Sequence, residues 1–258
     1  MLTIDKFSYL SKLRYINAAE KFSFAVITLI LCVVSRSVCA AAITLFAAGF
    51  LTVYKGKIPL FRYLRYLAVP VVFLLFSTLA VFVNISRTPL DLFAVPVGSF
   101  YLTGSRAAAA EGIRLILTAL AGVSCLYFLA FNTPMPDILN VLLKLHCPKL
   151  LIELMLLIYR FIFLLLDIAS ALSCAQASRL GNKDFRTSCR SFGSLLAVLL
   201  VLAMKRSNAL YDAMESRCYD GTIRVLNETY PPRAGEIAAI IGFELLLAAV
   251  WLLEVYML

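Results

Sequence analysis

Apolar stretches long enough to cross a lipid bilayer recur along this chain, and they constrain its fold more than any other feature. They are Phe22–Tyr54, Leu67–Val83, Ala107–Phe131 and Ala234–Leu258. A bilayer core about 30 Å thick is spanned by roughly 20 apolar residues in a helix. The composition agrees, because 62% of the residues are hydrophobic and only 15% are charged, against about 25% charged in soluble domains. The sequence therefore predicts an all-α integral membrane protein and excludes an ordinary soluble enzyme and a disordered chain.

The first of these stretches is too long for a single span. As one helix, Phe22–Tyr54 would rise roughly 49 Å, well beyond the hydrocarbon core. Its main polar interruption is Ser35-Arg36-Ser37, in the middle of the stretch. We therefore predict two short spans joined by a tight turn there, and about five transmembrane helices in the whole chain.

The basic residues predict the orientation of these spans. Residues 1–21 carry four, the turn carries one, Tyr54–Tyr66 four, Asn84–Arg106 two and Asn132–Arg233 twelve. Lys and Arg are enriched in cytoplasmic loops of membrane proteins. The alternation thus predicts a multi-pass protein of the cell (inner, or cytoplasmic) membrane, with its N-terminus in the cytoplasm and its C-terminus outside. We interpret the net charge of +9 as a topology signal and expect no nucleic-acid partner.

The long segment Asn132–Arg233 is expected to lie at the cytoplasmic face. Its apolar stretch Ser194–Met204 is only 11 residues long, or about 16 Å of helix, too short to cross. Its other apolar stretch, Leu150–Leu166, carries Glu153, Arg160 and Asp167 at seven-residue spacing. Residues seven apart lie on one helix face, so we expect this polar stripe to face another helix or water.

Helix boundaries within this segment are also readable. Asp137 is expected to cap a short helix ending near Leu145. A long helix is predicted from Cys147-Pro148 to Gly181, and a second from about Ser191 to Asp220, stopped by Gly221. Lys183–Arg190 between them is interpreted as a polar connector, and both glycines are interpreted as helix C-caps.

A short pattern recurs at the ends of the two long helices. It is Ala175-Gln176-Ala177-Ser178-Arg179, followed by Gly181, and again Ala213-Met214-Glu215-Ser216-Arg217, followed by Gly221. An arginine at a helix C-terminus also complements the helix dipole, which explains one copy without any function. Two copies, with arginines 38 residues apart, favour a pair of slim helix tips that present guanidinium groups to carboxylates in the grooves of a partner.

These motifs resemble the transmembrane (T) component of energy-coupling-factor (ECF) transporters, in its cobalt/nickel branch. The resemblance covers nearly the whole chain and is carried by Leu13-Arg14, Ala18–Phe22, Thr133-Pro134, Pro136–Leu139, Ile158–Phe161, Ala175–Gly181 and Tyr211–Gly221. In that family two cytoplasmic coupling helices end in Ala-Arg-Gly or Ala-Arg-Ser signatures. This chain departs from them, with Ser-Arg-Leu at Ser178–Leu180 and Ser-Arg-Cys at Ser216–Cys218.

The resemblance implies a division of labour among subunits. Two cytoplasmic ABC-type ATPase subunits bind and hydrolyse ATP, a separate integral membrane substrate-binding (S) subunit captures cobalt or nickel, and this chain couples them within the lipid bilayer. The residues that the resemblance places in the ATPase-coupling motifs are Ala177, Ser178, Arg179, Gly181, Ser216, Arg217 and Gly221. The chain then divides into an interfacial cytoplasmic arm (1–21), a four-span region (22–131), a coupling-helix region (132–233) and a last span (234–258).

Missing motifs agree with that division. The sequence has no phosphate-binding G-x-x-x-x-G-K-[ST] loop, one histidine, and seven cysteines without a Cys-x-x-Cys pair, so we expect no catalytic residue, cofactor or metal site in this chain. Alternatives are a T component serving a vitamin-type S subunit, a self-contained carrier, for which Glu244 is the candidate residue, and a membrane enzyme using Asp212 and Glu215. The outside segment Asn84–Arg106 is a candidate contact with the S subunit.

Overall fold

The computed structural model describes residues 3–82, 84–86, 93–97, 100–104, 106–221 and 230–257. The elements are α1 (Thr3–Leu10), a 3-10 turn (Lys12–Tyr15), α2 (Ala18–Ser35), α3 (Val38–Phe50), a π-helical turn (Leu51–Lys55), α4 (Leu60–Phe82), β1 (Asn84–Ser86), β2 (Phe93–Val97), β3 (Phe100–Gly104), α5 (Arg106–Asn132), α6 (Met135–Lys144), α7 (Lys149–Ser178), α8 (Phe185–Glu215) and α9 (Ala234–Met257). They form two compact units, a bundle unit of Thr3–Ile138 with Thr229–Leu258 and a hairpin unit of Leu139–Glu228.

The predicted fold class, an all-α integral membrane protein, is confirmed. Within the described ranges six helices are long and apolar enough to cross a membrane. Five of them correspond to the predicted spans, and the sixth is Phe185–Glu215, which the sequence analysis assigned to the coupling region. This helix qualifies as a candidate span by its length and composition alone. Its assignment as a coupling helix therefore remains a prediction.

The bundle unit is centred on α5, which packs against α1, α2, α3 and α4, while α9 packs against α2 and α3. Small side chains are fully buried where these helices meet, namely Thr28, Ala41, Thr44, Ala121, Ser124 and Cys125. Small residues let the backbones of membrane helices approach closely. The core of this unit therefore depends on close helix contact as much as on large apolar side chains.

The predicted turn inside the first apolar stretch is confirmed. Arg36 ends α2 in the left-handed conformation with φ of 48°, and Ser37 caps α3 by accepting a hydrogen bond from the Ala40 N–H. At the other end of α2, the Asn17 side chain accepts from the Ala19 N–H. Each cap satisfies an N–H that the first turn of a helix leaves unpaired.

A small sheet that the sequence analysis did not predict follows α4. Its three strands are antiparallel in the order β1-β3-β2, with Leu102 of β3 opposite Ile85 on one side and Val95 on the other. The strands are three to five residues long, too short to show a period-two pattern. The remaining residues of the outside segment Asn84–Arg106 that lie between the strands are outside the described residues.

The hairpin unit consists mainly of α7 and α8, which run antiparallel. The side-chain amide of Gln176, near the end of α7, donates to the Ser191 carbonyl near the start of α8 at 3.0 Å. The Tyr219 hydroxyl, just beyond α8, donates to Oε2 of Glu153 near the start of α7 at 2.8 Å. These two contacts join opposite ends of the helices, as an antiparallel pair requires.

Two predicted boundaries in this unit are wrong. The connector Lys183–Arg190 is helical from Phe185 onward, with Asp184 at the N-cap position, and the second long helix ends at Glu215 instead of Asp220. Within the helical part, Arg186, Thr187 and Arg190 lie on exposed positions of the first turns of α8. The polar residues at the start of α8 show that this surface of the helix is exposed. They do not interrupt the helix.

Candidate functional site

The first arginine tip ends α7 in a Schellman motif. The Gly181 N–H donates to the Gln176 carbonyl at 2.8 Å, and the Leu180 N–H donates to the Ala177 carbonyl at 3.1 Å. This pair of bonds reverses the chain through one left-handed residue, which is Leu180 with φ of 59°. Arg179 is the C-cap residue of the helix.

The second tip repeats this geometry at the end of α8. The Tyr219 N–H donates to the Met214 carbonyl at 3.1 Å, and the Cys218 N–H donates to the Glu215 carbonyl at 3.0 Å. Cys218 takes the left-handed conformation with φ of 56°. Arg217 thus occupies the same position relative to the cap as Arg179, and the sequence repeat is also a structural repeat.

The serines that precede the two arginines make the same kind of hydrogen bond to the preceding turn of their helix. Ser178 Oγ donates to the carbonyls of Cys174 and Ala175, each at 3.1 Å, and Ser216 Oγ donates to the Ala213 carbonyl at 3.0 Å. A serine hydroxyl that donates to a carbonyl of the preceding turn keeps its side chain against the helix. At each tip the serine side chain thus lies back along the helix, directly before the exposed arginine.

The prediction that glycines cap these helices is wrong. The left-handed residues are Leu180 and Cys218, and each lies directly after an arginine. Gly181 follows the left-handed residue and is required for another reason, because a Cβ there would lie 2.8 Å from the Gln176 carbonyl oxygen and 2.9 Å from Ser191 Oγ. Gly221 has φ of 86° but lies beyond the second cap, where its Cβ would meet nothing within 4 Å.

The two tips lie at opposite ends of the hairpin and are exposed. Ser191 Oγ donates to the Gly181 carbonyl at 2.9 Å, which ties the first tip to the start of α8, while the second tip is tied to α7 through Tyr219. The 30 residues of α7 correspond to an axial rise of about 45 Å. The hairpin therefore presents its two guanidinium groups at well-separated points.

The Tyr219–Glu153 bond is the electrostatic feature of the second tip. Because the carboxylate of Glu153 accepts the phenol proton in a hydrogen bond, the pKa of Tyr219 is raised above its ordinary value. Glu153 is the first residue of the predicted polar stripe and makes this contact, while the other two residues of the stripe, Arg160 and Asp167, are exposed. No sequence pattern links these residues, which are 66 positions apart.

Cap geometry alone does not define a docking site, since a third helix of the chain ends in the same way. At the end of α6 the Cys147 N–H donates to the Leu142 carbonyl at 3.1 Å, with His146 left-handed at φ of 64°. What distinguishes the ends of α7 and α8 is the arginine at the cap. His146 thus lies at a helix boundary, directly before Cys147-Pro148.

Between the tips, α7 and α8 enclose an apolar groove of about 470 Å³. Its lining comes from the first half of α7 and the second half of α8: Leu154, Leu157, Ile158, Phe161, Ile162, Leu165, Ser207, Leu210, Tyr211 and Met214. The helices therefore diverge along this stretch and are held together mainly near their ends.

A buried lysine, which sequence reasoning missed, organises the cytoplasmic end predicted for the bundle unit. Lys21 is only 4% exposed, and its Nζ donates to the carbonyls of Leu13 at 3.0 Å and Asn132 at 2.9 Å. The Asn132 side chain accepts from Ser11 Oγ at 2.7 Å and donates to the Phe128 carbonyl at 2.8 Å. This network fastens the N-terminal arm to the end of α5.

Two acids of the last helix, Glu244 and Glu254, are hydrogen-bonded to hydroxyl groups of the bundle unit. Thr28 Oγ1 donates to Oε1 of Glu244 at 2.6 Å, and Ser37 donates to Glu254. Elsewhere in this unit Arg114 pairs with Glu111, three residues earlier on α5, at 3.5 Å. Among the residues that the structure describes, no three His, Cys, Asp or Glu side chains are grouped to hold a metal ion.

The arrangement of long apolar helices defines the class of the molecule, a multi-pass integral membrane protein. A family model described as CbiQ, cobalt transport protein, matches residues 11–229. The chain belongs to this family of membrane transport components.

Curated relatives agree with that assignment. The chain is 32% identical to protein MJ1089 of Methanocaldococcus jannaschii over 95% of its own length and 90% of the relative's. It is 30% identical to the cobalt transport protein CbiQ of Salmonella typhimurium over 86% and 98% of the two chains. A putative fused cobalt transport protein CbiMQ of Methanocorpusculum labreanum is 31% identical over 87% of this chain and 38% of the longer one.

Proposed function

We propose that this protein is the T component of an ATP-driven ECF-type importer for cobalt ions, and that Arg179 and Arg217 dock its two coupling helices into two cytoplasmic ATPase subunits. A separate integral membrane S subunit holds the ion. In this proposal the chain lies in the cell membrane with its N-terminus and its hairpin unit in the cytoplasm. ATP is bound by the partner subunits, and this chain transmits their movement without carrying out chemistry of its own.

The observation that supports the proposal most strongly is the repeated tip geometry. Two helices of one hairpin end with the same pair of backbone hydrogen bonds, each with an exposed arginine directly before a left-handed residue. A planar guanidinium forms two parallel hydrogen bonds with a carboxylate, which fixes orientation as well as position. Two equivalent tips suit two equivalent grooves, as a pair of identical or homologous ATPases would offer.

The hairpin is also built to transmit movement from one end to the other. A helix resists axial compression because each turn is closed by backbone hydrogen bonds, and α7 and α8 are 30 and 31 residues long. Contacts at both ends of the pair hold the tips in a fixed relation. Displacement of either arginine by a closing ATPase dimer would therefore move the whole hairpin.

Cobalt is proposed as the substrate because relatives that align over most of this chain are named cobalt transport proteins. The ion itself would be held by the S subunit. A T component serving a vitamin-type S subunit remains the second candidate, and uptake of radioactive cobalt by the reconstituted complex, against uptake of labelled vitamins, distinguishes the two.

Arginine substitution tests the coupling role. We expect Arg179→Ala with Arg217→Ala to abolish co-purification of the ATPases and ATP-dependent uptake while membrane insertion is retained. The matched control is Arg206→Ala, since Arg206 is an exposed arginine within α8, away from both tips. Unchanged ATPase recovery in the double variant would refute the docking role, and uptake by the wild-type chain alone would favour a self-contained carrier.

A further inference from the structure

The bundle unit contains a cavity of about 300 Å³ that is lined by apolar side chains and by four charged ones. This volume is at the lower end of the range for small-molecule sites. The apolar lining comes from helices α2, α3, α5 and α9, the π-helical turn and the N-terminal arm: Leu13, Ile16, Phe24, Ala47, Phe50, Leu51, Phe128, Ala239, Ile240 and Phe243. Its charged residues are Glu20, Lys21, Lys55 and Glu236.

Glu20 gives the cavity an unsatisfied acceptor. The residue is only 8% exposed, and its Oε1 accepts the Arg233 N–H at 3.2 Å. Its Oε2 is buried and accepts no hydrogen bond from any described residue. Burying a carboxylate oxygen without a donor is costly, so this oxygen favours a ligand that brings one.

The second carboxyl of the cavity strengthens the preference for a cation. Glu236 lines the same cavity, close enough to Glu20 for the two carboxyl groups to repel each other, and its ion pair with Arg233 is long, at 3.7 Å. The Lys21 amine is already committed to two backbone carbonyls. An ammonium group donating to both carboxyls would relieve their repulsion and satisfy the buried oxygen.

A lysine also lines the cavity. Lys55, the last residue of the π-helical turn, is one of its charged residues. Because an ammonium group forms charge-assisted hydrogen bonds with phosphate oxygens, Lys55 suits the cavity to a ligand that carries a phosphate as well as a cation.

We propose that the cavity binds phosphatidylethanolamine, with the head-group ammonium between Glu20 and Glu236, the phosphate at Lys55, and part of an acyl chain against Phe24, Phe128 and Phe243. The charges of the site are complementary to this zwitterion at both ends. Phosphatidylcholine has no N–H to donate, and phosphatidylglycerol has no ammonium, so both should bind less well.

Lipid binding to the purified full chain, measured by native mass spectrometry with each of the three lipids in turn, tests this assignment. A hydrogen bond to a charged group contributes about 1.5–3 kcal/mol, so we expect phosphatidylethanolamine to bind at least about tenfold more tightly than phosphatidylcholine. Glu20→Gln keeps the acceptor for the Arg233 N–H and should abolish most of this preference. Glu111→Gln, which changes an acid outside the cavity, should keep it.

Ala239→Phe provides an independent test, because the larger side chain fills the cavity without changing its charge, and it should weaken binding of all three lipids. Equal binding of phosphatidylethanolamine and phosphatidylcholine by the wild-type chain would overturn the proposal. So would a full preference retained in Glu20→Gln, or phosphatidylglycerol binding as tightly as phosphatidylethanolamine, which would assign recognition to the lysines alone.

Discussion

Tyr219 donates a hydrogen bond from its hydroxyl to Oε2 of Glu153 across 2.8 Å, and this bond joins the second arginine tip to the start of the opposite helix. Tyr219 is also the residue whose N–H completes the cap after Arg217. One side chain thus connects the local geometry of the tip to the hairpin as a whole. The position of Arg217 depends on α7 as well as on the helix that carries it.

Removal of this bond is expected to loosen the second tip. In Tyr219→Phe the amides of Cys218 and Tyr219 should exchange with solvent faster, as measured by hydrogen exchange, while those of the first tip stay unchanged. Tyr256→Phe is the control, because Tyr256 is 88% exposed on α9. Identical exchange in wild type and Tyr219→Phe would show that the bond does not hold the tip.

The same bond predicts a pH dependence. The phenol pKa is raised in the folded protein by the Glu153 carboxylate, so the bond contributes fully below the ordinary pKa of about 10 and is lost as the pH rises through the raised value. Exchange at the second tip should therefore accelerate above pH 10 in wild type. Tyr219→Phe should lack this step, and a step of equal size in that variant would assign it to another group.

Glycine at the left-handed positions should be tolerated or stabilising. Non-glycine residues pay roughly 1 kcal/mol for this conformation, and Leu180 is 70% exposed, so Leu180→Gly loses little packing. We expect the free energy of unfolding of the hairpin unit to rise by about 0.5–1 kcal/mol. Leu200→Gly, at an exposed position inside α8, should lower it by about 1 kcal/mol, and a similar loss in Leu180→Gly would contradict the assigned cap.

Gly181 and Gly193 should respond oppositely to alanine. At Gly181 the added Cβ would meet a backbone oxygen at 2.8 Å, so Gly181→Ala should destabilise the junction of α7 and α8 by about 1–3 kcal/mol. At Gly193 nothing lies within 4 Å, and alanine there should stabilise α8 by roughly 1 kcal/mol. Thermal unfolding of both variants measures the difference, and a stabilised Gly181→Ala would be inconsistent with the close approach.

Lys21 should be far less replaceable than an exposed lysine. Lys21→Met removes the buried donor to the carbonyls of Leu13 and Asn132. The Leu13 carbonyl keeps the Ile16 N–H, so we expect a loss of about 1–3 kcal/mol, mainly for the Asn132 carbonyl. Lys6→Met is the control, since Lys6 is exposed on α1. Chemical denaturation in detergent compares the two, and equal stability would mean that the network does not hold the N-terminal arm.

The sequence predicted the features that depend on local composition. Apolar stretches located the spans, Ser35-Arg36-Ser37 located the first turn, and the repeat that places Arg179 and Arg217 in register is present in the structure as two matching caps. The cap residues themselves were missed, because glycine is the usual left-handed residue and two glycines lay nearby. Only the hydrogen bonds of Gly181 and Tyr219 show that the reversal occurs one step after each arginine.

Features that depend on contacts distant in sequence were not predictable. Lys21 was counted only as one of the four basic residues of the arm 1–21. Its burial was not predicted, because its acceptors are backbone carbonyls 8 and 111 residues away and leave no side-chain signal. The start of α8 was misplaced because a run of polar residues is as typical of an exposed helical turn as it is of a connector. The short sheet after α4 lacks the length at which alternation becomes visible.

Photo-cross-linking at the tips tests the coupling proposal without disturbing the arginines. Benzoylphenylalanine replacing Leu180 or Cys218 lies directly after Arg179 or Arg217, and the control position is Leu200, which is 66% exposed within α8. In membranes containing the assembled transporter, we expect both tip positions to cross-link to an ATPase subunit and the control position not to. Cross-links to ATPase from Leu200 alone, or none from either tip, would contradict the assignment of these arginines as the docking points.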